Sequence, residues 1–291
     1  MKHATKMMLA VAVLAMVAIP AQVMASTYSD TVLADNPLGY WRLGESSGTT
    51  AYDAVTPGGE DLTIGSGVTL GVTGALTNSS GGDTDTAVTF ATGNIQGSSA
   101  TKFDFTASTS FTAEAWLKTT NDGDAQFFLS TWTSNTSGFF LGLFNRGGTG
   151  GRLTLGAQIN DTDGKSLGAF GDATTPDLAD GKWHHVALTR DHTGTQNIAS
   201  MGLFVDGVKL TSLNVYGNST LTAGIDGSFL RLGNRDGGLH YNGSMDEAAI
   251  YDSKLSDAEI LEHHTVGVPE PATMSLLGIG GLLALVRRRR K

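Results

Sequence analysis

Through the middle of the chain, apolar residues recur at every second position. In FTAEAWLK (111–118), Phe111, Ala113, Ala115 and Leu117 fall on one side and Thr112, Glu114, Trp116 and Lys118 on the other. That is the period of an extended strand with one face in a core. Similar short apolar runs return at 126–132, 138–144, 152–159, 182–190, 201–210, 228–233 and 245–252, parted by clusters of Gly, Asn and Asp. LFVDGVKL (203–210) predicts a two-residue hairpin, because Asp206-Gly207 accepts the positive φ angles of a type I′ turn. Many short strands separated by turn residues predict an antiparallel sandwich. One segment breaks the pattern. In SKLSDAEILEHH, Ser256 and Glu259 form a capping box, Leu255 stands at the staple position, and Ile260 and Leu261 give an apolar side. This predicts a single short helix over about 257–263, covering a sheet edge. The long polar stretch 160–182 reads as a loop within one domain.

The two ends follow other rules. Lys2 and Lys6 precede an apolar run from Met7 to Ile19, closed by Pro20 and by small Ala25. A charged start, a short apolar middle and a small-residue cut site make a secretory leader over residues 1–25. The run is also short of the ~20 residues that a membrane-spanning helix needs. At the other end, Pro269-Glu270-Pro271 precedes a mostly apolar run from Ala272 to Val286 and then Arg287, Arg288, Arg289, Arg290 and Lys291. The basic block resists translocation and stays cytoplasmic, so an exported chain halts there by a marginal anchor. The proline rings keep the preceding segment extended, the form a processing enzyme grips.

This order of Pro-Glu-Pro, apolar run and arginine cluster resembles the PEP-CTERM sorting signal of Gram-negative, exopolysaccharide-producing bacteria. The resemblance implies cleavage near Pro269-Glu270-Pro271 by an exosortase, after signal peptidase has acted, and a transient stage at the inner membrane. The expected division is 1–25 leader, 26–267 folded domain and 268–291 sorting segment.

Setting the ends aside sharpens the charge. They hold seven of the 19 Lys and Arg but one of the 28 Asp and Glu, leaving 12 against 27 and a net −15 on the remainder. Such a surface repels nucleic acid and suits cation binding. The chain has no cysteine, so the fold has no disulfide and no thiol chemistry.

NPLGYWRLGESSGTTAYDAV (36–55), FTAEAWLK (111–118), DGKWHHVALTRD (180–191), LFVDGVKL (203–210) and GSMDEAAIYDSKLSDAEILEHH (243–264) together resemble laminin-G-like domains of the concanavalin A-like superfamily. The resemblance implies an all-β, two-sheet antiparallel jelly roll, a fold shared by lectins, glucanases and adhesive modules. Glucanases of this fold set carboxylates at alternating strand positions, roughly 5 Å apart for retention. No such triplet occurs here, and Glu114 stands alone on its strand. Asp246 and Asp252 are too far apart along theirs, and alternation turns Glu247 away from Asp246. No catalytic residue is assigned. His184-His185 reads as structural, since strand neighbours face opposite ways, and His263-His264 as a complement to the helix dipole.

Two binding chemistries remain. Many laminin-G-like domains hold a calcium ion that ties the first segment to the last strand; the matching carboxylates here are Asp53 and Asp246, with Glu45 third. Hard cations seek such oxygen ligands. For carbohydrate, Trp132, Tyr216 and Tyr241 lie beside Gly- and Asn-rich loops and are the candidate platforms. The expectation is a non-enzymatic surface module that binds polysaccharide or another surface glycan. A structural or protein-adhesive matrix component is the alternative, and a glycoside hydrolase comes third. Intact-mass measurement of protein recovered from outside the cell should show a C-terminus near Pro271. A species still carrying Arg287 to Lys291 counters that reading.

Overall fold

A computed structural model of the protein describes residues 27–268, apart from 57–58, 77–85, 98–100, 124, 133–136, 146–151, 228 and 236–237. The leader and the sorting segment from Pro269 onward lie outside the described residues. In chain order come α1 (Tyr28–Ala34), β1 (Gly39–Trp41), β2 (Thr50–Ala51), β3 (Leu62–Ile64), β4 (Val68–Thr73), β5 (Thr86–Phe90) and β6 (Ile95–Gln96). The alternating runs then give β7 (Phe111–Lys118), β8 (Gln126–Ser130), β9 (Gly138–Asn145), β10 (Leu153–Asn160), β11 (Ser166–Gly171) and β12 (His184–Arg190). The chain closes with β13 (Met201–Val205), β14 (Val208–Lys209), β15 (Leu213–Asn218), β16 (Arg231–Leu232), β17 (Gly243–Tyr251) and α2 (Asp257–Gly267).

The strands form two antiparallel sheets. One runs β14-β13-β12-β7-β17-β5-β4, with β1 also on β17; the other runs β15-β11-β10-β9-β8-β16-β6-β3-β2. Phe111, Ala113, Ala115 and Leu117 of β7 point between the sheets, as their alternation predicts, and meet Phe139, Leu141 and Leu143 of β9. Phe105, Phe111 and Phe139 stack at 4.7 Å steps in that core. Asp206 (φ 51°) and Gly207 (φ 74°) make the expected hairpin turn. The expected loop at 160–182 contains β11, whose SLGAFG alternation adds a strand beside β10.

Two helices, not one, cover the outer face of the first sheet. α1 is the unforeseen one, capped by Thr27 and Asp30 in a capping box. α2 has the expected Ser256–Glu259 box and runs on to Gly267. Ile260 and His263 face inward, whereas Leu261 is 48% exposed, so the apolar side is narrower than its sequence suggests.

Beneath the helices lies a sealed polar network. Glu114 is fully buried. Its Oε1 accepts from Tyr251 Oη at 2.6 Å and His263 Nδ1 at 2.9 Å, and Oε2 lies 3.2 Å from His185 Nε2. His263 Nε2 reaches Asp35 at the end of α1, 3.0 Å away. His263 is thus a partner of a buried carboxylate, not an ornament of the helix end. Burial alone would push its imidazole down, but Glu114 and Asp35 outweigh that and raise it to about 9. Burial would raise the Glu114 carboxyl, yet His263 and His185 hold it well below the usual range. A bulge in β17 between Asp246 and Ala249, with Glu247 at φ 52°, overturns the expected opposition of Asp246 and Glu247. Both carboxylates lie near Tyr28 on the helix side, and together with burial and Glu114 they push its hydroxyl well above its ordinary value.

A histidine whose folded value exceeds its unfolded ~6.5 contributes stability that is complete below that pH and is lost as pH rises through about 9. Urea midpoints should therefore fall between about pH 6.5 and 9, and His263→Gln should reduce the slope. His263→Ala leaves a buried carboxylate without its cation and should cost about 3–5 kcal/mol.

Candidate binding face

The outer face of the second sheet is built on different terms. Strands β9, β10, β11 and β15 read GFFLGLFN, LTLGAQIN, SLGAFG and LNVYGN, with Leu, Ile and Ala alternating against Gly, aromatic and amide residues. Most of the aliphatic set fills the core together with Phe139, and Phe140, Gly142, Phe144, Gly156, Gln158, Gly168 and Phe170 face outward. Not one residue of the four strands is charged, although charged residues make up 16% of the chain. At that frequency these strands would carry four or five.

Glycine and ring interlock across this face. Gly142 pairs with Gly156, and Gly156 with Phe170. A Cβ on Gly156 would stand 2.6 Å from Phe144 Cδ2 and 2.7 Å from Phe170 Cβ; one on Gly168 would stand 2.4 Å from Tyr216 Cε2. The rings therefore lie over the space that the glycines leave. They form a continuous file: Trp132–Phe140 5.5 Å, Phe140–Phe144 6.5 Å, Phe144–Phe170 6.0 Å and Phe170–Tyr216 5.6 Å between centroids. Tyr216 is laid nearly parallel to Phe170, at 24°, and its hydroxyl donates to Ala157 O at 3.0 Å. It remains 42% exposed. At the other end the Arg235 guanidinium stands 4.4 Å from the centre of Phe127, 5.0 Å from Phe140 and 5.7 Å from Trp132, within cation–π range. Gln158, paired across from Phe140 and Gly168, donates to Asn160 at 2.7 Å.

Of the three candidate platforms, the structure brings Trp132 and Tyr216 to opposite ends of this file. Tyr241 is a correction. It is fully buried between the sheets, bonded to Lys118 and Ser244 and flanked by Phe90 and Phe128. The Gly and Asn residues around it mark a turn into β17, not a surface. Phe140, Phe144, Phe170 and their glycines were not singled out from sequence, although their alternation was visible.

The three calcium candidates each accept from backbone N–H groups. Asp53 takes those of Tyr40, Val55 and Glu60 at 3.0–3.2 Å, with Lys102 Nζ 4.0 Å away. Asp246 takes Ala75 N–H at 2.7 Å, and Glu45 takes Tyr52 N–H at 2.9 Å. Among the described residues, no three His, Cys, Asp or Glu side chains are grouped to hold a metal ion. The first segment and last strand are tied by Tyr40 and Arg42 on Glu247 and by Ala75 on Asp246.

The sequence family laminin G 3, described as the concanavalin A-like lectin/glucanases superfamily, matches residues 81–261. The chain belongs to that superfamily. The PEP-CTERM protein-sorting motif matches residues 267–291, so the laminin-G-like protein is exported, sorted to the surface and processed by an exosortase. Among solved structures, the binding domain of Paraclostridial Mosquitocidal Protein 1 matches at 16% identity and TM-score 0.59, over 80% of this chain and 52% of that one. The botulinum neurotoxin serotype G binding domain matches at 14% and 0.53, over 79% and 51%. The receptor binding domain of botulinum neurotoxin D matches at 13% and 0.53, over 79% and 52%. The chain thus spans about half the length of these domains, and at such identity the likeness is one of fold. No match was found among curated proteins.

The interlock makes a test. Gly156→Val should strain the packed face by about 1–3 kcal/mol, seen as a lower urea midpoint. An unchanged midpoint would show that the rings do not rest on that glycine.

Proposed function

We propose that this laminin-G-like protein is a non-enzymatic binding module for an uncharged polysaccharide, held on the outer face of β9, β10, β11 and β15. The observation that carries the reading is the absence of charge from four adjacent strands of a chain whose central region is net −15. Sugars present flat C–H faces rimmed by hydroxyls. A ring laid flat and open meets the first, as Tyr216 is; neutral amides meet the second, as Gln158, Asn160 and Asn214 supply. Ligand sites of this kind pair aromatic area with a few polar groups that fix orientation. The neighbours in fold space are themselves described as binding domains, which agrees with a recognition role.

Catalysis finds no support on this face. Its strands offer no carboxylate for acid or nucleophile, and Glu114 is sealed under the helices of the opposite sheet. We place the module in the envelope or matrix of a Gram-negative cell, with the cell's own exopolysaccharide as the first ligand to try.

Pull-down on neutral insoluble glucans, on a polyuronate and on that exopolysaccharide tests the proposal. Neutral glycan should bind, and the binding should persist at high salt because no exposed charge pair is involved. Tyr216→Ala should weaken it by about 2 kcal/mol, roughly thirtyfold, at a temperature where circular dichroism shows the sandwich of the variant still folded. Capture of matrix proteins without any glycan would favour the adhesive alternative.

A further inference from the structure

The sorting motif begins almost flush with the folded surface. Gly267, the last residue of α2, is buried against Trp116 and Leu76; a Cβ there would lie 2.4 Å from the Trp116 ring. Tyr28, the first residue of α1, packs on the same ring from the chain's other end, 6.2 Å between centroids. One tryptophan thus roots both α1 and α2, at the two ends of the described residues, in the helix layer. Val268 is exposed, and the apolar run starts only four residues later, at Ala272. Four residues reach at most about 14 Å. The interfacial layer on each side of a bilayer is itself about 5–8 Å deep. While the sorting segment is inserted, the tether therefore holds the end of α2 at the lipid headgroups.

We propose that in this membrane-held form the α1–α2 layer rests on the bilayer surface, with the outer face of the opposite sheet turned away from it. The helix layer carries exposed apolar side chains suited to that contact. Leu33 on α1, Leu261 on α2 and Val268 at its end are 37%, 48% and 38% exposed. Beside Leu261, at the β13–β14 turn, Val208 is 63% exposed. The exposed charges of α1 and α2, Asp30, Asp257 and Glu262, are acidic, so the layer suits a zwitterionic headgroup surface rather than an anionic one. Helix-on-sheet and sheet-on-sheet spacings of ~10 Å each then put Tyr216 roughly 20 Å or more from the lipid. The face stays open to a polymer outside the membrane before the chain is released.

The chain has no cysteine, so single thiol labels are unambiguous. Leu261→Cys on α2 and Asn214→Cys on β15, which pairs with outward-facing Phe170, each carrying one fluorophore, are placed in the chain that still holds residues 268–291. The protein is reconstituted in phosphatidylcholine vesicles doped with headgroup-nitroxide lipid. Co-flotation with the vesicles and quenching of the Leu261 label alone are expected, with most of its fluorescence lost. Failure to co-float, quenching of both labels, quenching of neither, or quenching of the Asn214 label alone overturns the proposal. Quenching of neither label would leave a membrane protein, rather than lipid, as the layer's partner.

Discussion

Glu114 sets the terms for half of this molecule. A carboxylate taken fully out of water costs several kcal/mol unless donors converge on it, and here they come from separate elements. Tyr251 arrives on β17 and His263 on α2, while His185 on β12 approaches to 3.2 Å. His263 then passes the connection to Asp35 at the end of α1. None of these is a sequence neighbour of Glu114, so the charge is satisfied only when the sheet is paired and both helices are closed over it. In a chain without disulfides, this shared requirement does the stapling. The bulge at Asp246–Ala249 belongs to the same device, because it swings Glu247 toward Tyr40 and Arg42 and fastens β1 to β17.

The opposite surface obeys the reverse logic. Charge is concentrated and sealed on one side of the sandwich, and excluded from the strands on the other. The aliphatic core between the sheets separates the two. A ligand on the Tyr216 face therefore meets neither the ionisations under the helices nor the acidity of the rest of the surface. The fold separates that face from the network that stabilises the other.

Much of the architecture was legible because strand alternation and turn chemistry are local. FTAEAWLK, LFVDGVKL and the Ser256 box each carry their own instruction, and each is realised. What was not legible depends on cover from afar. Glu114 reads as a solvent-facing acid until two helices close over it, and His263 reads as a dipole partner until that acid is found beneath it. α1 was missed because Thr27 and Asp30 sit among small polar residues just past the leader, where a helix start looks like a cleavage region. Tyr241 was misplaced because the same Gly and Asn neighbours that border an exposed loop also border the entry to a central strand. Trp132 and Tyr216 were found one by one. The file that joins them required knowing that β9, β10, β11 and β15 are adjacent.

The glycine–ring interlock also constrains how this face can change over generations. Gly156 accommodates Phe144 and Phe170, and Gly168 accommodates Tyr216. A larger residue at either glycine collides with a ring, and a smaller residue in place of a ring leaves bare glycine backbone behind. Contacting positions of this sort are coupled rather than additive, so the pavement drifts only through paired replacements. The amide of Asn214 on the edge strand is under no such constraint. Lineages of this protein are therefore free to vary the margin of the face while inheriting the floor unchanged.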